Sequence, residues 1–535
     1  MPSLYPHEVR KIAEGSEASG FAGFFFPSFR ARGLGEEKPV PSYSAIVYKE
    51  GDEVRAEDWK GRKIASGEAG VDDANVIQSA LDSQPDTYPS KTIRIVGSFI
   101  IKDTIKLHSY LNLDLADAIL VLADNVDKSV IYGADIHHVS ILFGEINCNG
   151  AHQSGTVNAI NYNGIFIEAI DDTPSNIKII GTRIINAGHY GISFNRHLTK
   201  TGSATHACND VLVTYCRVIN CGVAPNASEG KHGYGISVGR GGLNVRILNN
   251  YVSDCLTAGI KTGGSDYDNT RNENIAIAGC TIRNCNRYHI DVAGTRNLII
   301  KDNDLDNPNA SIVDAETYAL FVESVTPGCI GVKIIDNTIR RGGAYNICVL
   351  PNNVDILIEG NTCSKLLNDG IERHIYSGAP CRIINNYIDG SNDAASSYGI
   401  LVYNTSKVEI IGNKIYNIGA RAILLEKAPY SAIIGNIVDT NGGGALIDVL
   451  ESLASVVKGN IIRNAATFGI VLRGDGIAPD SEYCVVEGNV IEDSGSNGIA
   501  EKNACDYNVI VGNALRNCAA GISTVGANTI VANNI

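Results

Sequence analysis

NYIDGSNDAASSYGILVYNTSKVEIIG, NKIYNIGARAILLEKAPYSAIIG and NIVDTNGGGALIDVLESLASVVKG are three consecutive segments, residues 386–412, 413–435 and 436–459. Each segment begins with Asn and a short apolar run, passes through a second apolar run such as YGILV, and closes on a third run that ends in Gly. The leading Asn recurs every 20 to 29 residues, at Asn337, Asn361, Asn386, Asn413, Asn436, Asn460, Asn489, Asn513 and Asn533. A period of this size is typical of a solenoid. Three short β-rich runs per period predict an all-β fold, a right-handed parallel β-helix.

The length of the chain agrees with a solenoid. A chain of 535 residues is too long for one ordinary compact core, whereas each coil of a solenoid contacts only its neighbours. The period predicts about fifteen coils, which form a rod about 70 Å long at the strand spacing of a sheet. We divide the chain into an irregular N-terminal arm with a small β-hairpin or meander (1–67), a short capping helix (68–90) and the β-helix (91–535).

Charge and hydropathy exclude several classes of partner. The net charge of −14 argues against nucleic acid as a general partner. The apolar stretch FAGFFFPSF, residues 21–29, is too short to span a membrane, and the N-terminus lacks the basic and apolar regions of a signal peptide. The sequence ends in mid-coil, which predicts a covered end, either in a homotrimer or through end-to-end self-association.

The cysteines follow the repeat. Cys221, Cys255 and Cys285 occupy the same place in three consecutive coils, and Cys216 and Cys280 share another place two coils apart. This register predicts free thiols that stack as small core residues. No pair of cysteines has the C-x-x-C spacing of a zinc site, so we assign no metal ligands.

The middle run of each coil predicts a candidate groove. When its central Ile or Leu points inward, alternation along the strand sends the neighbouring side chains outward. Ionisable side chains then gather on the outer face of the coils between residues 186 and 325. The outward set contains Lys261, His289, Asp291 and Glu323, with Tyr190, Tyr234 and Tyr288 just before the strands, Arg196, His197 and Arg240 after them, and His232 nearby. Tyr rings stack on sugars, and Arg and Lys bind carboxylates, so this face predicts a polysaccharide partner.

Each of these features also has a purely structural interpretation. The tyrosines form a stacking ladder in such an interpretation, and His232 caps backbone groups in a turn. Lys261 and Asp291, in adjacent coils, form an ion pair of little energy. Alternatively, Asp291 and Glu323 lie roughly 6.5–9.5 Å apart, which is the carboxylate spacing of inverting glycosidases.

Two segments resemble a known superfamily. GVDDANVIQSALDSQ at 70–84 and TIRIVGSFIIKDTIKL at 92–107 resemble the start of pectate-lyase-like β-helix proteins, and HGYGISVGRGGLNVRILNNYVSDCLTAGIKT at 232–262 looks like coils of polygalacturonases. The resemblance implies a right-handed parallel β-helix whose relatives include polysaccharide lyases, glycoside hydrolases, uronate C5-epimerases and viral tailspikes. The Asp residues that polygalacturonases carry on the two preceding coils have no match in NGIFIEA and HYGISFNRH, so the resemblance does not imply their mechanism.

We therefore predict a protein that acts on a uronic-acid polysaccharide by β-elimination or C5 proton abstraction, with calcium as the one cofactor left open. Such chemistry needs a cation at the uronate, a base and an acid. Arg240 or Arg196 would be the cation, Lys261 or His232 the base, and Tyr234 or Tyr288 the acid. Neighbouring cations are expected to lower the pKa of Lys261.

Two alternatives remain at this stage. One is a tailspike or adhesin that binds glycans and trims them, and the other is a structural β-helix. An extracellular or virion-surface location follows from the predicted function.

Overall fold

The chain forms a right-handed parallel β-helix, as the sequence predicts. The computed structural model describes residues 43–154, 162–196, 206–224, 233–263, 270–308, 317–364, 366, 373–391, 397–440, 442–474 and 480–535. The predicted N-terminal arm lies outside these residues as far as residue 42.

An antiparallel meander and one helix precede the regular coils. Strands β1 (Ala45–Glu50), β2 (Glu53–Asp58) and β3 (Lys63–Glu68) form the meander, and β1 also pairs in parallel with β4 (Lys91–Ile101). Helix α1 (Asp73–Asp82) has one buried apolar face, because its residues at positions 76, 77, 80 and 81 follow the helical period.

Helix α1 covers the open edge of the first strand of the middle sheet. The side chain of Gln78 donates to the carbonyl of Lys106 at 3.0 Å and accepts from the amide of Lys106 at 2.8 Å. Asp73, which is fully buried, accepts from the amide of Ile100 and pairs with Lys49 at 2.8 Å. A strand edge that would otherwise expose unpaired backbone groups is thus satisfied by side chains.

Three parallel ladders make up the β-helix. The middle sheet has 16 strands: Ile105–Leu107, Ile131–Ala134, Ile165–Ala169, Ile192–Arg196, Tyr234–Val238, Ala258–Thr262, Tyr288–Val292, Tyr318–Val322, Tyr345–Val349, Arg373–Ser377, Tyr398–Tyr403, Arg421–Glu426, Ile447–Leu450, Ile470–Arg473, Asn497–Lys502 and Ala520–Ser523.

The other two ladders, which we call the first and third sheets, are joined through two long strands, Lys91–Ile101 and Leu111–Leu122. Each of these strands runs from one ladder into the other. The first sheet continues with Glu145–Asn147, Arg183–Ala187, Arg217–Cys221, Tyr251–Cys255, Thr281–Arg283, Asp304–Asp306, Thr338–Arg340, Thr362–Ser364, Tyr387–Asp389, Lys414–Tyr416, Ile437–Asp439, Ile461–Arg463, Val490–Glu492 and Ala514–Arg516. The third sheet continues with His137–Leu142, Ser175–Ile180, Cys208–Thr214, Gly242–Leu248, Asn272–Ala278, Thr295–Lys301, Ile330–Ile335, Val354–Glu359, Cys381–Ile384, Glu409–Ile411, Ala432–Ile434, Val456–Lys458, Val485–Glu487, Val509–Val511 and Ile530–Ala532. A short 3-10 turn, Gly150–His152, follows the first sheet in an early coil.

The leading asparagines form a continuous buried ladder at the turn between the third and first sheets. Asn386 is representative: its Nδ2 donates to the carbonyl of Ile358 at 3.0 Å and to Oδ1 of Asn413 at 2.9 Å, and its Oδ1 accepts from the amide of Asn361 at 2.9 Å. The same pattern repeats in each coil from Asn303 to Asn513. Each Asn therefore satisfies buried backbone groups that water cannot reach.

The ladder ends one residue later than predicted. Asn534, and not Asn533, accepts from the amide of Asn513 at 2.9 Å. Asn533 has a φ of 54° and occupies the left-handed position that Gly512 holds in the preceding coil. Two adjacent asparagines cannot be told apart by period alone, which explains the shift.

The cysteines are free thiols, and all except Cys518 are buried. Cys216 and Cys280 occupy the asparagine ladder itself, since the amide of Cys216 donates to Oδ1 of Asn250 and that of Cys280 to Oδ1 of Asn303, each at 2.9 Å. Burial raises the pKa of such thiols, for example that of Cys363 to about 12.

Replacing Asn386 by Ala should remove four hydrogen bonds made or accepted by this side chain and leave buried partners unsatisfied. We expect the free energy of unfolding to fall by about 3 kcal/mol, measured by urea denaturation followed by circular dichroism. The control is Asn75→Ala, at an exposed position of helix α1, where the change should stay within about 0.5 kcal/mol. Equal effects of the two substitutions would contradict a structural role for the ladder.

Candidate functional site

One column of outward-facing side chains runs along the middle sheet. Strand pairing aligns Ser193 with Ser237, Ser237 with Lys261, Lys261 with Asp291, and Asp291 with Phe321. The alternation of the strands therefore places Lys261 and Asp291 on the outer face, where the sequence predicted them. This alignment brings Lys261 and Asp291 together, although they are 30 residues apart in the chain.

The ammonium of Lys261 binds two carboxylates. Its Nζ lies 2.7 Å from Oδ2 of Asp291 and 2.6 Å from Oε1 of Glu323. The side chains of Lys261, Asp291 and Glu323 are 12%, 3% and 25% exposed, so the cluster has one buried carboxylate and one that reaches solvent. Contacts this short between charged groups are charge-assisted hydrogen bonds.

The two carboxylates have opposite pKa shifts. Burial raises the pKa of Asp291 above its usual range, and the charge of Lys261 only partly opposes this. For Glu323, burial acts in the same direction, but the charge of Lys261 and hydrogen bonds from Asp291 and Lys261 outweigh it and hold the pKa below its usual range. Near neutral pH the pair therefore favours a protonated Asp291 beside an ionised Glu323.

Lys261 itself is held protonated. Burial on its own lowers the pKa of Lys261, but the carboxylates of Asp291 and Glu323 outweigh burial and raise that pKa. The sequence prediction that neighbouring cations lower this pKa is wrong, because Glu323, two coils away along the sheet, supplies a second negative charge that the prediction did not place beside Lys261. The geometry does not support Lys261 as a general base.

The carboxylates are also closer together than an inverting glycosidase needs. Both bonded oxygen atoms contact the same Nζ, so Oδ2 of Asp291 and Oε1 of Glu323 lie at most 5.3 Å apart. Inverting enzymes separate their carboxyl groups by about 6.5–9.5 Å to admit water, whereas retaining enzymes place them about 5–5.5 Å apart.

Aromatic rings flank this cluster on both sides. Tyr190 and Tyr234 stack with centroids 5.3 Å apart and planes at 6°. On the other side, Tyr288 stacks on Phe321 at 5.1 Å and on Tyr318 at 5.7 Å. These contacts between rings of neighbouring coils support the structural interpretation of the tyrosines, and their role in stacking on sugars stays a prediction.

The two predicted arginines are buried or half-buried, and two predicted histidines cannot be placed. Arg240 is buried and Arg196 is half-buried, with its Nη1 3.5 Å from Oγ1 of Thr270. Arg287, which the sequence analysis missed, packs over the ring of Tyr288 at 5.4 Å, and its charge also lowers the pKa of Glu323. The predicted residues His197 and His232 lie outside the described residues.

His289 does not face the groove. Strand pairing aligns it with Gly259, where an added Cβ would meet Ile282 and Cys285 of the core. Residues 289 and 290 are both fully buried, so alternation between buried and outward side chains starts only at Ile290. His289 is fully buried, and burial lowers its pKa to about 4, so it is a neutral core residue.

A second buried carboxylate in the same column escaped the sequence analysis. Asp448 is 1% exposed and lies between Arg421, at 2.7 Å, and Arg473, at 2.9 Å. Two guanidinium groups compensate its charge fully. Asp448 lies beyond residues 186–325, the coils to which the predicted groove was confined.

Neither a metal cluster nor a membrane span emerges from the described part of the chain. No group of three or more His, Cys, Asp or Glu side chains there is arranged to hold a metal ion, and the calcium requirement stays a prediction. Among the same residues, no helix is long and apolar enough to cross a bilayer.

Comparisons with known proteins agree with the fold. Residues 324–477 match the family model described as a right handed beta helix region. The pre-mature bacteriophage phi29 gene product 12 is similar in structure, with a TM-score of 0.54, 12% identity, and coverage of 87% of this chain and 72% of that chain. Its N-terminal fragment has a TM-score of 0.50 and 13% identity, with coverage of 87% of this chain and 91% of that chain. PfbA, a surface adhesin of Streptococcus pneumoniae, has a TM-score of 0.46 and 14% identity, with coverage of 82% of this chain and 90% of that chain. No curated protein sequence matches.

Replacing Lys261 by Met should leave Asp291 and Glu323 buried without their cation. We expect a loss of about 3–5 kcal/mol in the free energy of unfolding at neutral pH. Without Lys261 the folded-state pKa values of both carboxylates rise above their unfolded values. The free energy of unfolding of the variant should therefore recover at pH values below the unfolded pKa values. It should fall as pH rises through the folded pKa values.

The control for this experiment is Lys301→Met. Lys301 is 44% exposed and lies 3.8 Å from both Asp302 and Asp336, so its loss should cost less than about 1 kcal/mol at any pH. Urea denaturation across a pH series measures both variants. A Lys261→Met protein with the pH profile of the control would show that the cluster carries no buried charge.

Proposed function

We propose that the protein binds an acidic polysaccharide on the outer face of the middle sheet and hydrolyses it with the Lys261 cluster. One observation carries the proposal: two carboxylates with opposite pKa shifts share one ammonium on a face lined by tyrosines. Pairs of titratable groups whose environments separate their pKa values are typical of acid–base catalysis. Arg287 supplies positive charge near the pair, and we assign Arg196 and Arg240, which the sequence predicts as cations of the site, to binding of the anionic chain.

The geometry assigns a role to each group in a retaining reaction. Asp291 donates its proton to the glycosidic oxygen as the bond to the leaving sugar breaks, while the carboxylate of Glu323 attacks the anomeric carbon. Water then cleaves the glycosyl ester and gives its proton to Asp291, which regenerates both groups. Lys261 stays protonated throughout and positions the two carboxylates.

Uronate proton abstraction is less well supported by the same geometry. A general base for that step must be deprotonated near neutral pH, and the carboxylates beside Lys261 raise its pKa instead. Burial also raises the pKa of Tyr234, which keeps the predicted acid protonated but supplies no base. Tyr234 and Tyr288 are assigned to sugar stacking, together with Tyr190.

Glycan binding without cleavage is the second candidate, and the 3% exposure of the Asp291 side chain favours it. In that case the Lys261 cluster is a structural ion network beneath a tyrosine surface. An adhesin- or tailspike-type protein of this kind would act outside the cell or on a virion, with a homotrimer as its expected assembly. Sedimentation analysis tests the assembly.

Replacing Asp291 by Asn, or Glu323 by Gln, should reduce kcat on a cleaved polysaccharide by 10²–10⁴-fold, the usual contribution of a catalytic acid or base. The wild type should be active only where Glu323 is ionised and Asp291 is protonated. Activity therefore falls below the lowered pKa of Glu323 and above the raised pKa of Asp291. Reducing-end release from a panel of uronic-acid polymers measures this.

The matched control is Asp448→Asn, which removes an equally buried carboxylate from the same column but outside the site. It should perturb stability and leave kcat unchanged. If the products instead absorb as unsaturated uronates, the reaction is a lyase reaction and the hydrolytic proposal is wrong. Binding of a polymer with no cleavage by the wild type would favour the second candidate.

A further inference from the structure

A cavity of about 390 Å³ opens on the same face of the middle sheet, towards its N-terminal end. It lies several coils from the Lys261 cluster, and no residue in it was predicted as a site. Its lining combines two aromatic rings, two carboxylates, two lysines and two hydroxyls: Tyr132, Phe166, Asp103, Glu168, Lys106, Lys128, Thr104 and Ser129. A concave site with a few convergent polar groups is the usual form of a small-ligand site.

The floor of the cavity is an aromatic ring held in place by a buried carboxylate. The hydroxyl of Tyr132 donates to Oε2 of Glu168 at 2.7 Å, and Glu168 is only 5% exposed. Phe166, which is buried, supports the ring of Tyr132 from the next coil with centroids 5.7 Å apart. The hydrogen bond and the Phe166 contact therefore hold the half-buried Tyr132 ring at the cavity.

The two lysines of the cavity differ in their partners. Lys128 forms an ion pair with Asp103 at 2.8 Å. Lys106 is exposed, and its ammonium has no ion-pair partner in the described ranges. Its backbone is fixed by Gln78 of helix α1. The carboxylates of Asp103 and Glu168 balance the two lysines in number, and Asp103 also interacts with Lys106 by charge. Lys106 is nevertheless the exposed cation of the cavity that forms no ion pair in the described ranges, and it lies on a paired strand beside an aromatic ring.

The cavity belongs to the same outward column as the Lys261 cluster. Strand pairing aligns Lys106 with Tyr132 and Tyr132 with Phe166, and the column continues through two serines to Lys261. Three strand spacings, about 14 Å, separate Phe166 from Lys261. The intervening Ser193 and Ser237 are small, so no large side chain of this column obstructs an extended polysaccharide between the two positions.

We infer that this cavity is a second subsite, which binds one acidic sugar unit of the polysaccharide, and this inference depends on the proposed function for its ligand class. The sugar ring stacks on Tyr132, its carboxylate pairs with Lys106, and its hydroxyls bond to Glu168. The subsite anchors the chain while a more distant linkage lies at Asp291 and Glu323.

The test is isothermal titration calorimetry with trimers of galacturonate, glucuronate and mannuronate, and with galactose trimers as neutral counterparts. Tyr132→Ala and Lys106→Met should each weaken binding of an acidic trimer about tenfold. Tyr132→Phe keeps the ring and should retain most of the affinity, which guards against a folding defect in Tyr132→Ala. Lys102→Met, an exposed lysine on the same segment outside the cavity, should bind as the wild type does.

Asp291→Asn separates the subsite from the proposed catalysis. It should bind acidic trimers with wild-type affinity while its hydrolytic activity is lost. Trimer binding by a wild type that cleaves nothing would leave the subsite standing and remove the catalytic proposal. The subsite is overturned if no acidic trimer binds, if galactose trimers bind equally well, or if Tyr132→Ala and Lys106→Met bind as tightly as the wild type.

Discussion

The structure depends on how the chain satisfies its backbone at a buried turn. Between the third and first sheets each coil changes direction inside the rod, where neither water nor strand pairing reaches every amide and carbonyl. The asparagine ladder supplies the missing partners: each side chain bonds to a carbonyl of the preceding coil and to the asparagine of the next. Because one coil fixes the turn of its neighbour, strand register is transmitted along the rod, and the outward column of the middle sheet depends on that register.

This constraint explains which parts of the structure the sequence could predict. The period of Asn, the three runs per coil and the alternation in each run are local patterns, and they predicted the β-helix, the stacked thiols and the outward positions of Lys261 and Asp291. The errors have a different origin. His289 is buried next to the equally buried Ile290, and alternation alone does not reveal two consecutive buried positions. The pairing of Lys261 with Glu323 spans 62 residues and two coils, and the pKa of Lys261 depends on it.

The two buried carboxylates of the outward column, Asp448 and Asp291, occupy equivalent positions but differ in the cations that bind them. Asp448 has an arginine on each side, so its charge is fully compensated. Asp291 shares a single ammonium with a second carboxylate, which leaves one negative charge too many for a buried site. A protonated Asp291 relieves that excess. The proposed role of Asp291 as a proton donor and the ion-paired state of Asp448 therefore differ in the number of cations bound to each carboxylate.

The free thiols have a consequence for how this rod opens. Thirteen buried cysteines, from Cys148 to Cys505, are distributed over many coils, and none is tied into a disulfide in the structure. Each thiol reacts with a small alkylating reagent only when its own coil separates from a neighbour. The chain therefore carries a built-in set of reporters, and the order in which they become labelled would map where fraying begins and how far it spreads.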